Sequence, residues 1–366
     1  PILRPLLEQG RFRADAIAVR PAPLRPVRRR RHPLEDYNKH AGPQGPSGDK
    51  VDLNSLMAVK VATAPVLDGV REPLWLQAPP LLAPVDNGAN LVGGRTTVEM
   101  RALYDKDNVY FIAQWADPTQ SLRRNPWQKQ ADGTWKQLKS GATSQENTYY
   151  EDKLALIWDI KIADFAKAGC TVTCHPGEKA ASAYGSKYTL NADGIGDIWH
   201  WKSVRTGPVG QIDDQYLDGK RPTEAAEAGR NSDPKTSGGY SNNVNAAKTA
   251  PEYALPNNIK ANSPLGVYWI KDSEKVGFGD LNYVAGDEVP GIIISPFVGD
   301  RGDISAQARW DNGVWTLEWS RKLSTGSQYD VQFSDMAKAY YFGVAVFENA
   351  QVEHAWSPGV YTLKFS

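Results

Sequence analysis

Residues 306–323, AQARWDNGVWTLEWSRKL, constrain this chain more tightly than any other stretch. Apolar and polar residues alternate on both sides of Asn312-Gly313. That pair tolerates the positive φ a two-residue turn requires, so the stretch reads as a β-hairpin with Trp310 and Trp315 at its flanks. The same period of two runs through residues 56–63, 96–105 and 108–117, as in half-buried strands. The last two are joined by the polar turn Asp105-Lys106-Asp107-Asn108. Residues 153–160, KLALIWDI, form a more continuous apolar run that suits a central strand, and 339–349 and 359–365 add two more. Twelve tryptophans and sixteen tyrosines, with 25 prolines and 32 glycines, fit strands and long loops better than helix bundles. The expected fold is mainly β, an antiparallel β-sandwich.

Residues 1–50 differ from the rest. They are rich in Pro and Arg, lack apolar periodicity, and read as an extended arm before a domain spanning 51–366. Arg28 to Arg31 in that arm suit either an acidic partner or lipid surface, or a plain solvated tail. Within the domain, residues 224–263 are too polar to build a core and are expected to be a long loop insertion. Residues 118–150 form a second excursion. The net charge of zero gives no reason to expect nucleic acid as a partner. No apolar run approaches the roughly 18 residues of a transmembrane helix. The first residues also lack the uninterrupted apolar core of a signal peptide. No Gly-rich phosphate loop, nucleophile elbow or second metal cluster is present, so the sequence shows no catalytic constellation.

The only two cysteines, Cys170 and Cys174, lie four residues apart in AGCTVTCHPGEK, with His175 next to the second. Three chemistries use such residues. A disulfide between Cys170 and Cys174 would suit an oxidising compartment, but leaves His175 unexplained. Structural zinc wants a second ligand pair, and His32, His40, His200 and His354 each stand alone. Covalent haem wants two thiols for its vinyl groups and a histidine directly after the second cysteine for its iron. The usual spacer between the cysteines has two residues and this one has three, which one bulged residue accommodates. From these residues alone, haem and disulfide stay equally open.

Residues 193–219, DGIGDIWHWKSVRTGPVGQIDDQYLDG, resemble the "(D/N)-I/L-W-H-W-K" segment of the haem-binding gamma subunits of ethylbenzene dehydrogenase and related molybdenum enzymes. Residues 59–80, 98–119, 154–160 and 341–365 also resemble this family, so the likeness covers about residues 52 to 366. It implies an immunoglobulin-like or carbohydrate-module-like β-sandwich whose long loops carry one haem. In that family the noncovalent members bind iron through a Met in the loop before the WHWK segment and a Lys near the C-terminus. Here CTVTCHPG puts His175 in the Met's place, and NAQVEHAW puts His354 where the Lys is expected. The resemblance therefore implies a single covalent haem c with His175 and His354 as its two iron ligands. Two imidazoles make a low-spin centre suited to electron transfer, with no open position for substrate.

Met100 is a rival distal ligand, although its place on an alternating strand suits core packing. Trp199, His200 and Trp201 are expected near the haem, and Lys202 and Arg205 near its propionates or simply at the surface. The carboxylates of QIDDQYLDGK, residues 211–220, suit Ca²⁺ by donor type and equally suit a turn. The expected function is a periplasmic monohaem c-type cytochrome relaying single electrons, since covalent haem attachment happens outside the bacterial cytoplasm. Its partners would be redox proteins, such as a molybdopterin and iron-sulfur enzyme or a membrane cytochrome complex. The alternative is a secreted β-sandwich module that binds carbohydrate through its aromatic residues and carries a Cys170–Cys174 disulfide.

Overall fold

The structure is a computed structural model and describes residues 53–139, 148–174, 187–220 and 229–366. The expected arm at 1–50 lies outside the described residues. Thirteen strands form one large sheet. They are β1 (Ser55–Lys60), β2 (Leu81–Val85), β3 (Thr96–Tyr104), β4 (Asn108–Ala116), β5 (Lys153–Asp159), β6 (Gly196–Lys202) and β7 (Asp213–Leu217). There follow β8 (Arg230–Ser232), β9 (Ser305–Asp311), β10 (Val314–Lys322), β11 (Tyr340–Phe347), β12 (Ala355–Trp356) and β13 (Tyr361–Phe365). Their spatial order is β8-β7-β6-β5-β11-β13-β1-β3-β4-β10-β9, with β2 beside β3 and β12 beside β11.

The sheet folds over so that its two halves face each other across one aromatic core. Alternation sends Trp158 of β5 and Trp199 and Trp201 of β6 inward, toward Phe111 and Trp115 of β4 and Trp315 and Trp319 of β10. Ring centroids of Phe111 and Trp199 lie 5.6 Å apart, and those of Trp115 and Trp201 6.1 Å apart, so rings from opposite halves touch. Truncating one such buried ring costs about 3–5 kcal/mol, which makes this contact set the main tie between the halves.

The hairpin expected at 306–323 is β9–β10. Trp310 pairs with Trp315 across it, and Asn312 and Gly313 take φ of 49° and 83°. At the β3–β4 turn the Asp105 carboxylate accepts the N–H groups of Asp107 and Asn108, each at 2.8 Å. Two features differ from the expectation. The sheet is mixed, because β1 runs parallel to both neighbours, β13 and β3. Side-chain alternation is the same in parallel and antiparallel strands, so the sequence pattern carried no sign of direction. Residues 229–263 also hold short strands, at Arg230–Ser232, Ser237–Asn242 and Tyr253–Ala254, where one polar loop was expected. Partners elsewhere supply their order: the Asn243 side chain donates to the carbonyls of Tyr253 and Pro290.

Candidate functional site

The outward face of β11, β5, β6 and β7 carries the chemistry. Register sets Gly343, Ile157, Ile198 and Gln215 in one row across the four strands. The next row is Ala345, Ala155, His200 and Asp213, and beyond it Phe347, Lys153 and Lys202. Residues in the middle of a sheet with neighbours on both sides are normally covered. Ala155 and Ala345 are only half-buried, so their small side chains form a floor open to the outside.

The cysteine pair closes one end of this floor. A one-turn helix, Phe165–Ala168, leads into a 3₁₀ turn, Gly169–Val172, that carries Cys170. Phe165 is fully buried and anchors the turn in a cluster with Ile157, Ile162, Ile198 and Leu217. Cys170 packs against Gly343, where an added Cβ would lie 2.5 Å from its sulfur. Glycine at 343 is thus a cradle for this thiol. The three spacer residues are each accounted for. Val172 packs on the same cluster, Thr171 donates its hydroxyl to the Ala168 carbonyl at 2.6 Å, and Thr173 donates to the Tyr188 carbonyl at 3.0 Å. Both cysteines carry free thiols. A hydrogen bond between them pushes Cys170 up, aided by burial, and draws Cys174 down. His175 lies outside the described residues.

Imidazoles occupy the other end. Phe347 lies between two of them, with ring centroids 5.4 Å from His200 and 4.5 Å from His354. His354 Nδ1 lies 2.8 Å from the Val352 carbonyl, which fixes Nδ1 as the protonated nitrogen and leaves Nε2 as the basic one. His200 is buried, and its Nε2 has no hydrogen-bond partner among the described residues. Burial, then the positive charges of Lys202 and Lys153, hold His200 well below the usual imidazole range, so it is neutral at pH 7.

Period two places the other expected residues elsewhere. Trp199 and Trp201 flank His200 in sequence, yet both turn into the aromatic core on the opposite face of β6. Met100 is fully buried in that same core. Lys202 and Arg205 are held by internal partners. Lys202 is ion-paired with buried Asp213, which Arg301 also contacts at 2.6 Å. Arg205 Nε bonds buried Glu151 at 2.5 Å. Burial alone would raise Asp213, but Lys202 and Arg301 hold it well below the carboxylate range. Sequence reading missed the role of Gly343, Ala155 and Ala345. Their signal is small residues in a run of bulky strand positions, legible only once strand neighbours are known.

The residues present fit a haem. Paired thiols, a small-residue floor and an orphaned buried imidazole nitrogen lie on one sheet face. Among solved structures the chain is similar to a carbohydrate binding module family 9 from Caldicellulosiruptor kristjanssonii in complex with glucose, at 10% identity and a TM-score of 0.32. That alignment covers 85% of this chain and 96% of the other. It is also similar to a candidate carbohydrate-binding protein from Bacteroides uniformis, at 10% identity and a TM-score of 0.36, covering 86% and 99%. No curated protein matches it. Residues 72–358 match the family described as ethylbenzene dehydrogenase. The chain belongs to that family, whose haem-binding gamma subunit is the electron-transfer partner of a molybdenum oxidoreductase.

Proposed function

We propose that this protein is a periplasmic monohaem c-type cytochrome that relays single electrons as a subunit or partner of a larger oxidoreductase. The observation that carries this reading is the half-open floor of Ala155 and Ala345, with Cys170 and Cys174 at one end and His200 and His354 at the other. Bound haem supplies reversible one-electron chemistry at its iron. Cys170 and Cys174 would each add across one vinyl group, the thiol proton going to the vinyl carbon. His175 follows Cys174 directly and takes the proximal role. His354 takes the distal role, its Nδ1 contact to Val352 orienting the ring. Such a carbonyl partner fixes the tautomer of a metal-bound imidazole. Phe347 packs against that ring. His200 belongs to the same wall. Trp199 and Trp201 support the site from behind, by holding β6 against the core. The enzyme of this family is periplasmic, which agrees with thioether attachment. No described helix is long and apolar enough to cross a membrane.

The ligand assignment is tested with His354→Ala. Haem stays covalently attached, and the iron changes from low to high spin, read in the visible and electron paramagnetic resonance spectra. His200→Ala keeps the low-spin signature. A low-spin spectrum that survives His354→Ala and is lost in His200→Ala moves the distal role to His200.

A further inference from the structure

The inner face of β6 and β7 ends in a second polar cluster, on the opposite side of the sheet from the cysteines. Asp197 of β6 and Asp214 of β7 are diagonal neighbours there. Asp233 joins them just after β8, its N–H donating to the Asp214 carbonyl at 3.2 Å. Asp330 arrives from the β10–β11 connection. All four are at most 3% exposed. One carboxylate oxygen each from Asp197, Asp214 and Asp330 lie within 4.8 Å of one another.

Burying four carboxylates together is unfavourable unless opposite charge meets them. Arg321 supplies one positive charge, donating to Asp197 Oδ2 at 2.9 Å, and the Val331 N–H meets the same oxygen at 2.9 Å. The opposite edge has no such donors. Among the described residues, neither oxygen of Asp330, neither oxygen of Asp233, Asp197 Oδ1 nor Asp214 Oδ2 has a hydrogen-bond partner. Six buried carboxylate oxygens of these four residues thus have no donor outside the cluster among the described residues. Asp303, exposed, flanks the cluster beside Asp330 and Asp214.

We propose that Asp197, Asp214, Asp233 and Asp330 bind a divalent cation, Ca²⁺ by donor chemistry. The donors are all hard oxygens, and Asp233 and Asp330 can each offer both of theirs. Ca²⁺ takes about 6–8 oxygens at about 2.3–2.6 Å in adaptable geometry. Oxygens that far from one ion lie at most about 5 Å apart, the spread seen for Asp197, Asp214 and Asp330. The cation would fix the ends of β6, β7 and β8 together. This inference stands apart from the haem reading.

A second acidic group, Asp117, Asp152 and Glu348, sets the comparison. There Ser121 N–H and the Trp315 indole donate to Asp152 Oδ2, and the Asn349 N–H to Oδ1. Thr119 and Ser121 hydroxyls donate to Glu348. Hydrogen bonds hold that group except at Asp117 Oδ2 and Glu348 Oε2, against six unpartnered oxygens in the first cluster, so it serves as the internal control.

The test uses the full chain, stripped with chelator and titrated with CaCl₂, followed by metal content, thermal unfolding and Tb³⁺ luminescence. The expected result is one Ca²⁺ per chain and a melting temperature that rises with added Ca²⁺. Asp330→Asn weakens binding by at least about tenfold. Asp117→Asn binds as wild type does. If Asp330→Asn does not fold, Asp303→Asn beside the cluster gives the readout as weaker Ca²⁺ binding. Stripped wild type that takes up no Ca²⁺ and shows no thermal shift overturns the proposal, as does loss of binding in Asp117→Asn alone.

Discussion

Replacing Cys170 and Cys174 together with alanine removes covalent haem completely. The protein is expected to release all of its haem to acidified acetone, while wild type retains it after denaturation. The effect is all-or-none because no other cysteine exists to form a thioether. The fold survives the change. Both side chains are small, they sit outside the main aromatic core, and each replacement costs about 1 kcal/mol, a typical value for one substitution. Single variants separate the two sulfurs. Cys174, drawn down by its contact with Cys170 and by Lys187, is expected to matter more for attachment rate. Intact mass separates haem-bearing from haem-free chains, and fragment masses of the haem peptide locate each thioether bond. Haem that remains covalently bound in the double variant contradicts the assignment outright.

Gly343→Val carries the second large effect. The added Cβ would stand 2.5 Å from Cys170 Sγ and 3.4 Å from Ile157 Cγ2, closer to the sulfur than atoms in real structures come. The backbone at 343 is extended within β11, so the obstacle is space rather than φ. Cys170 must move, and with it the turn that holds Cys174. Overpacking of this kind costs about 1–3 kcal/mol. The expected outcome is a lower melting temperature and several-fold less haem per chain. Gly343→Ala shows the same in milder form. A valine variant that loads haem fully would show that Cys170 does not need its seat on β11.

Much of the fold is legible in the chain. The β9–β10 hairpin and the β3–β4 turn follow from Asn312-Gly313 and from Asp105, because tight turns restrict backbone angles residue by residue. Strand direction at β1 does not follow, since β1 pairs with strands distant in sequence on one side and shares its alternation with either orientation. The cysteine-histidine motif is local and therefore visible. The floor is not: Ala155 and Ala345 become neighbours of His200 only through pairing of β11, β5 and β6. The same rule of alternation that placed His200 on the site sends Trp199 and Trp201 to the other face, a consequence available from the sequence once residues 196–202 are taken as a strand. The acidic cluster of Asp197, Asp214, Asp233 and Asp330 was least visible, because its members come from four separate segments. Only Asp214 falls within residues 211–220, where carboxylate donors were noted, and its neighbour Asp213 faces the other way into an ion pair with Lys202.

The most direct test of the central claim is the visible spectrum of the purified protein, oxidised and then dithionite-reduced, followed by denaturation and acid-acetone extraction. The account predicts a sharp low-spin α band on reduction and haem that stays with the polypeptide through extraction. A colourless protein, with Cys170 and Cys174 joined as a disulfide, would contradict it. A red protein that surrenders its haem would keep the family and remove the covalent bond.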